Sequence, residues 1–154
     1  MYKSIIALLL VATVVRAGEI EWGDCESDMA YVSSVSLTGC SSAPCDLVKG
    51  QSYTIGVNAL AVHDSSTLPY QIIFWSEGNI VYVTPIPQGN VCNQLSLGSC
   101  PYLSLIQISF GVGFTVPYWL SDMEVDVNLL VRNDAEDDQY ICVLFKGNVV
   151  SAKR

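Results

Sequence analysis

Six cysteines and a single histidine are the side chains of this 154-residue chain best suited to covalent or metal chemistry. Nucleophilic catalysis needs a base beside the serine or cysteine. The one histidine, His63, lies in the polar run His63-Asp64-Ser65-Ser66 and reads as a solvated loop residue, so no catalytic residue is assigned and no enzyme is expected. Zinc would require Cys-x-x-Cys pairs or clustered histidines, and neither is present, so no metal and no cofactor are expected. Asp134-Ala135-Glu136-Asp137-Asp138 concentrates carboxylates but lacks the ligand spacing and glycine of a calcium loop, which leaves a solvated turn. Gly111-Val112-Gly113 falls inside an alternating strand pattern, where a bulge or close backbone approach is expected and a phosphate cradle is not.

The cysteines therefore read as crosslinks, which requires an oxidising compartment. Met1 to Ala17 supplies the address: Lys3, an apolar run from Ile5 to Val15, and small Ala17 before Gly18-Glu19 make a secretory signal peptide, with residues 18–154 as one domain. The eleven-residue run is too short to cross a bilayer, which takes about 20 residues. Six cysteines allow fifteen pairings. Cys40 and Cys45 flank the turn Ser41-Ser42-Ala43-Pro44, and Cys92 and Cys100 close a short loop containing Gly98, which leaves Cys25 to Cys142.

Charge restricts the partners. Fifteen acidic against seven basic side chains give a net charge of −8, which argues against nucleic acid and against docking on an anionic bilayer. Loss of Lys3 and Arg16 with the leader takes the seven basic residues to five and the net charge to −10.

The elements that would position any site are strands. Ile106, Ile108, Phe110, Val112, Phe114 and Val116 alternate with Gln107, Ser109, Gly111, Gly113 and Thr115, which puts the apolar set on one face. Tyr53-Ile55-Val57 and Val125-Val127-Leu129-Val131 alternate in the same way. Shorter β-rich runs lie at 31–37, 71–75, 79–83 and 139–145, bounded by turn residues. About seven short strands without an amphipathic helix predict an all-β sandwich or barrel. Period two identifies a buried face, and a solid core satisfies it as well as a cavity does.

Val35-Ser36-Leu37-Thr38-Gly39-Cys40-Ser41-Ser42-Ala43-Pro44-Cys45, Lys49-Gly50-Gln51-Ser52-Tyr53-Thr54-Ile55, Pro85-Ile86-Pro87 ahead of Cys92, and Cys100-Pro101 together resemble the ML lipid-recognition family. The nearest subgroup is the Niemann-Pick type C protein 2-like secreted sterol carriers, to which mite group-two allergens are also similar. The resemblance implies an immunoglobulin-like β-sandwich of two antiparallel sheets, the same three disulfides, a lipid cavity between the sheets and a role without catalysis. The implied lipid-binding walls are Ile55, Val57, Phe74, Val83, Ile108, Phe110, Val112, Phe114, Val116, Val125, Val127 and Leu129, with Pro117 and Tyr118 at the entrance. Leu129 and Thr84 stand where the sterol carriers place aromatics, so the pocket is expected to be shaped differently.

With so few basic residues, a buried phosphate would lack a partner. The expected ligand is a sterol or another neutral or weakly polar, fatty-acid-like lipid, exchanged with a membrane or receptor acceptor. The expected protein is a secreted or endolysosomal monomer. The alternative is an innate-immunity or protein-recognition module of the same fold that presents lipid to a receptor.

Overall fold

The structure is a computed structural model that describes residues 17–85, 89–101, 103–133 and 139–153. The leader ahead of Ala17, the Ile86-Pro87 pair and the acidic run 134–138 lie outside the described residues. Twelve strands are present: β1 (Ala17–Glu19), β2 (Gly23–Asp24), β3 (Ala30–Thr38), β4 (Cys45–Val48), β5 (Ser52–Ala61), β6 (Pro69–Ser76), β7 (Asn79–Val83), β8 (Gly89–Asn90), β9 (Leu95–Leu97), β10 (Ile106–Thr115), β11 (Met123–Arg132) and β12 (Gln139–Val150). Seven of them have five residues or more, and these are the seven expected runs: five are extended at one or both ends, β7 has the expected bounds and β10 ends one residue short, at Thr115. The other five are short pieces that the alternation pattern is too brief to reveal.

The strands form two sheets that face each other. The first has the order β1-β3-β5-β10-β9; the second has the order β2-β12-β11-β6-β7, with β4 added on β12 and β8 on β6. The pairings are antiparallel except that of β4 with β12, which is parallel. In β10 the alternation is realised: Ile108, Phe110, Val112 and Phe114 are buried while Gln107, Gly113 and Thr115 face solvent. Gly111 pairs with Gly56 of β5 without a bulge, and a Cβ on Gly111 would stand 3.1 Å from the Thr54 Cγ2. The glycine there serves the close approach of a neighbouring strand.

The β6–β7 hairpin turns on Glu77-Gly78, both with positive φ (49° and 79°), the type I′ geometry that matches the twist of the flanking strands. Past the turn, β7 carries a bulge at Val81: Trp75 pairs with Ile80, but Phe74 pairs with Tyr82 and Ile73 with Val83. One extra residue exchanges the two faces of the strand beyond it.

Disulfides join Cys25 to Cys142, Cys40 to Cys45 and Cys92 to Cys100, and no cysteine is free. Loop-closure entropy weights them unequally, because a closure spanning 117 residues restricts the unfolded chain far more than one spanning 5. Replacing Cys25 and Cys142 by Ser is expected to lower the unfolding free energy by about 5 kcal/mol, and replacing Cys40 and Cys45 by about 2 kcal/mol. Urea unfolding of the two double variants measures the difference, and equal losses would contradict the entropic account.

Candidate functional site

The inner faces of the sheets meet in one apolar layer. From the first sheet come Ile55 and Val57 of β5 and Ile108, Phe110, Val112 and Phe114 of β10, set side by side by the pairs Val57 with Phe110 and Ile55 with Val112. From the second come Phe74 of β6 and Val125, Val127 and Leu129 of β11, with Val127 between Phe74 and Phe145. These ten residues and Val116 are each no more than 4% exposed. The layer expected to hold a cavity is thus closely packed by its own side chains.

Three of the expected site residues lie outside this layer: Val83, expected in its wall, and Pro117 and Tyr118, expected at its entrance. Val83 pairs with Ile73 and shares its face, away from Phe74; the bulge at Val81 gives the inward place to Tyr82 instead. Pro117 is half-buried and Tyr118 is 80% exposed, both on the loop that leaves β10. Tyr53, Tyr82 and Trp119 join the site without having been singled out in the sequence. The signal for Tyr53 was its place in the β5 alternation, whereas Tyr82 depends on a bulge that no local pattern announces.

These aromatics form a continuous series of ring contacts. Tyr53 stacks on Phe114 at 5.7 Å, Phe114 meets Phe74 edge-on across the layer at 5.7 Å, Phe74 meets Tyr82 at 5.5 Å, and Tyr82 meets Trp119 at 6.0 Å. Offset and edge-to-face rings at these separations are mutually attractive. Trp119 is 70% exposed and Phe74 is fully buried, so the series runs from solvent into the layer. Burial pushes the Tyr82 phenol up from its ordinary pKa. The Tyr53 hydroxyl accepts from Val48 N at 2.8 Å and donates to Asp46 O at 3.2 Å, which fixes its ring.

The rim at this end is fastened to the turn after β4. Val116 N donates to Gln51 O at 3.0 Å and Gly50 N donates to Val116 O at 2.7 Å, so Val116 is clipped on both sides. Gly50 has φ +78° and lies under the Tyr118 ring; a Cβ there would stand 2.2 Å from the Tyr118 Cε1. Only glycine meets both conditions. Lys49 pairs with Asp122, whose carboxylate also accepts from the Ser151 hydroxyl at 2.9 Å. The Lys49 hydrogen bond, seconded by Ser151, holds the Asp122 carboxyl below the usual aspartate range.

The far end is bound differently. Tyr140, the extra residue of a bulge in β12, is fully buried and donates its hydroxyl to His63 O at 2.7 Å, linking the second sheet to the end of β5. The buried Asn133 amide reaches Met29 Sδ at 3.7 Å, just ahead of β3. Directional or covalent links thus join the sheets at both ends: at the aromatic end the Tyr53 hydroxyl of β5 bonds β4 and the Cys40–Cys45 bridge joins the end of β3 to β4, whereas on the β7 side of that end the sheets meet through the rings of Phe74, Tyr82 and Trp119.

Three open grooves of about 600, 450 and 370 Å³ lie outside the layer and touch its residues only at Val125 and Ile108. The basic side chains described, Lys49, Arg132, Lys146 and Lys153, are none of them buried, and Lys146 pairs with Asp126. Among the described residues no group of three or more His, Cys, Asp or Glu could hold a metal ion.

A family model described as the ML domain matches residues 19–149. The NPC intracellular cholesterol transporter 2 of Danio rerio is 26% identical over 146 residues, covering 95% of this chain and 95% of that protein. Mite group 2 allergen Pso o 2 of Psoroptes ovis is 29% identical over 73 residues, covering 47% of this chain and 50% of the allergen. The crystal structure of a Niemann-Pick type C2 protein from Japanese carpenter ant superposes with a TM-score of 0.72 at 17% identity, covering 84% of this chain and 99% of that one. At that identity the likeness is one of fold. Because the family model spans the long strands of both sheets and all six cysteines, the chain belongs to the ML domain family.

Proposed function

We propose that the protein is a secreted lipid carrier that takes a sterol or another neutral or weakly polar lipid between its sheets, entering at Trp119 and Tyr82. The observation that carries this reading is the ring series from exposed Trp119 to buried Phe74 and Phe114. It is supported by membership of a family that includes a cholesterol transporter similar over nearly the whole chain. Secretion is supported by the leader-like first seventeen residues and by the pairing of all six cysteines.

Since the layer is closely packed, uptake requires the sheets to part on the β7 side of the aromatic end, with the Cys40–Cys45 bridge and the far-end bonds kept. The hydrocarbon of the ligand then replaces the hydrocarbon contacts of Phe74 and Phe114, so the exchange loses little free energy. A lipid of about 28 heavy atoms at roughly 0.3 kcal/mol each gains about 8 kcal/mol, or micromolar binding, which suits a carrier that must release its cargo. A phosphate head would find Lys49, at the rim of the aromatic end, already paired with Asp122.

Displacement of an apolar fluorescent probe by candidate lipids tests the reading. Val116→Trp is expected to weaken probe binding at least about tenfold, because the indole takes the ligand's place, and to cost some stability because the layer is closely packed. Retained binding with a loss of stability of about 3 kcal/mol would mark a solid core instead.

The rim sets the pH response. A depressed Asp122 pKa means that its pairing is intact above the usual carboxylate range and is lost only as pH falls through the lowered value. Probe dissociation is therefore expected to stay constant from neutral pH to about pH 5 and to accelerate only below about pH 4. Asp122→Asn is expected to release the probe faster at neutral pH and to flatten the acid limb; an unchanged rate would remove the rim from the release step.

A further inference from the structure

In a chain with fifteen acidic side chains, four strands of the first sheet, β3, β5, β9 and β10, contain no Asp, Glu, Lys, Arg or His. The second sheet has no such uncharged face, since Glu124, Asp126, Arg132 and Lys146 lie on β11 and β12. Across the outer face of the first sheet Tyr31 pairs with Leu60 and Leu60 with Gln107, while Leu97 of β9 lies beside Ser109. Tyr31 is 70% exposed and Leu97 52%, with Leu103 and Leu105 also exposed on the loop that enters β10. A groove of about 450 Å³ runs between Tyr31, Leu60, Leu97 and Gln107.

The polar groups on this face are turned inward. Ser33 donates to Asn58 O at 3.0 Å, the Asn58 amide to Ser34 Oγ at 2.8 Å, and Thr38 to Thr54 O at 3.1 Å. Ser52 and Thr115 share a hydrogen at 2.8 Å, and Ser96 donates to Ser109 O at 3.1 Å. Hydroxyls and amides bonded in this way lose little on leaving water.

We propose that this face is a self-association surface on which two copies of the chain meet about a two-fold axis. Like-charged bodies repel, and a copy brings to the contact the one face that places no carboxylate opposite another. In an isologous arrangement Tyr31 and Leu97 of each copy lie on the uncharged Ser, Gly and Asn surface of the other. The charged residues flanking these strands, Glu19 on β1 and Asp64 just past β5, fall at the margin. Three strands of about 30 Å and the three-residue β9, at about 4.8 Å spacing, offer roughly 500 Å² per copy, in the range of a weak dimer. The lipid entrance at Trp119 stays free, so the contact is independent of the carrier role. This departs from the monomer that the sequence suggested.

Sedimentation velocity of the full chain from about 1 to about 500 μM tests it. The expected result is a monomer–dimer equilibrium with a dissociation constant on the order of tens of micromolar, tightened when about 0.5 M salt screens the remaining repulsion. Gln107→Glu sets a carboxylate on the face and is expected to weaken the dimer at least about tenfold, with an unchanged circular dichroism spectrum. Tyr31→Ala is expected to weaken it as well, whereas Gln71→Glu on the outer face of the second sheet leaves it unchanged. A monomeric mass at every concentration, or a dimer indifferent to Gln107→Glu, overturns the proposal.

Discussion

Side chains that meet between the two sheets are hydrocarbon, and hydrocarbon contact has no direction. Phe74 against Phe114, or Val127 between Phe74 and Phe145, is held by exclusion of water and by close approach. Such contacts can be exchanged for those of another apolar body without leaving a polar group unpaired. A layer built of hydrogen bonds could not open in this way, since each broken bond would leave a buried donor or acceptor unsatisfied.

The polar and covalent fastenings are placed around that layer. The Cys25–Cys142 bridge ties the segment ahead of β3 to β12, and Tyr140 and Asn133 reach across to the first sheet at the far end. Thr84, almost fully buried, directs its hydroxyl to the backbone of Ile72 and so closes the ladder of β6 where β7 ends. At the aromatic end the β4 side is fastened by the Cys40–Cys45 bridge and the Tyr53 hydroxyl, while the β7 side is closed by the rings of Tyr82 and Trp119. The lightly fastened side is that of β7, where the ring series emerges at Trp119.

Much of this was legible in the residues. The period-two run from Ile106 to Val116 specifies both the strand and its inward face, and the turn between Cys40 and Cys45 indicates their nearness in space. What escaped the sequence did so for physical reasons. Val83 is expected in the wall, but the bulge at Val81 turns it to the other face. Lys49 and Asp122 are 73 positions apart, and β4 lies parallel to β12, pairings that no local pattern encodes. Whether a buried face is a cavity or a closed layer is a matter of the distance between sheets, which alternation does not contain. The absence of charge from β3, β5, β9 and β10 was visible in the letters, but it gained meaning only when those strands proved to be neighbours in one sheet.

The separation of the sheets is the quantity on which the account turns. Spin-label distances between Thr54 and Glu124 report the mouth, and between Gln107 and Gln71 the far end, with and without a saturating neutral lipid. The account predicts that the mouth distance lengthens by several ångströms on lipid addition while the far-end distance stays the same. Saturable lipid binding with both distances unchanged would contradict it.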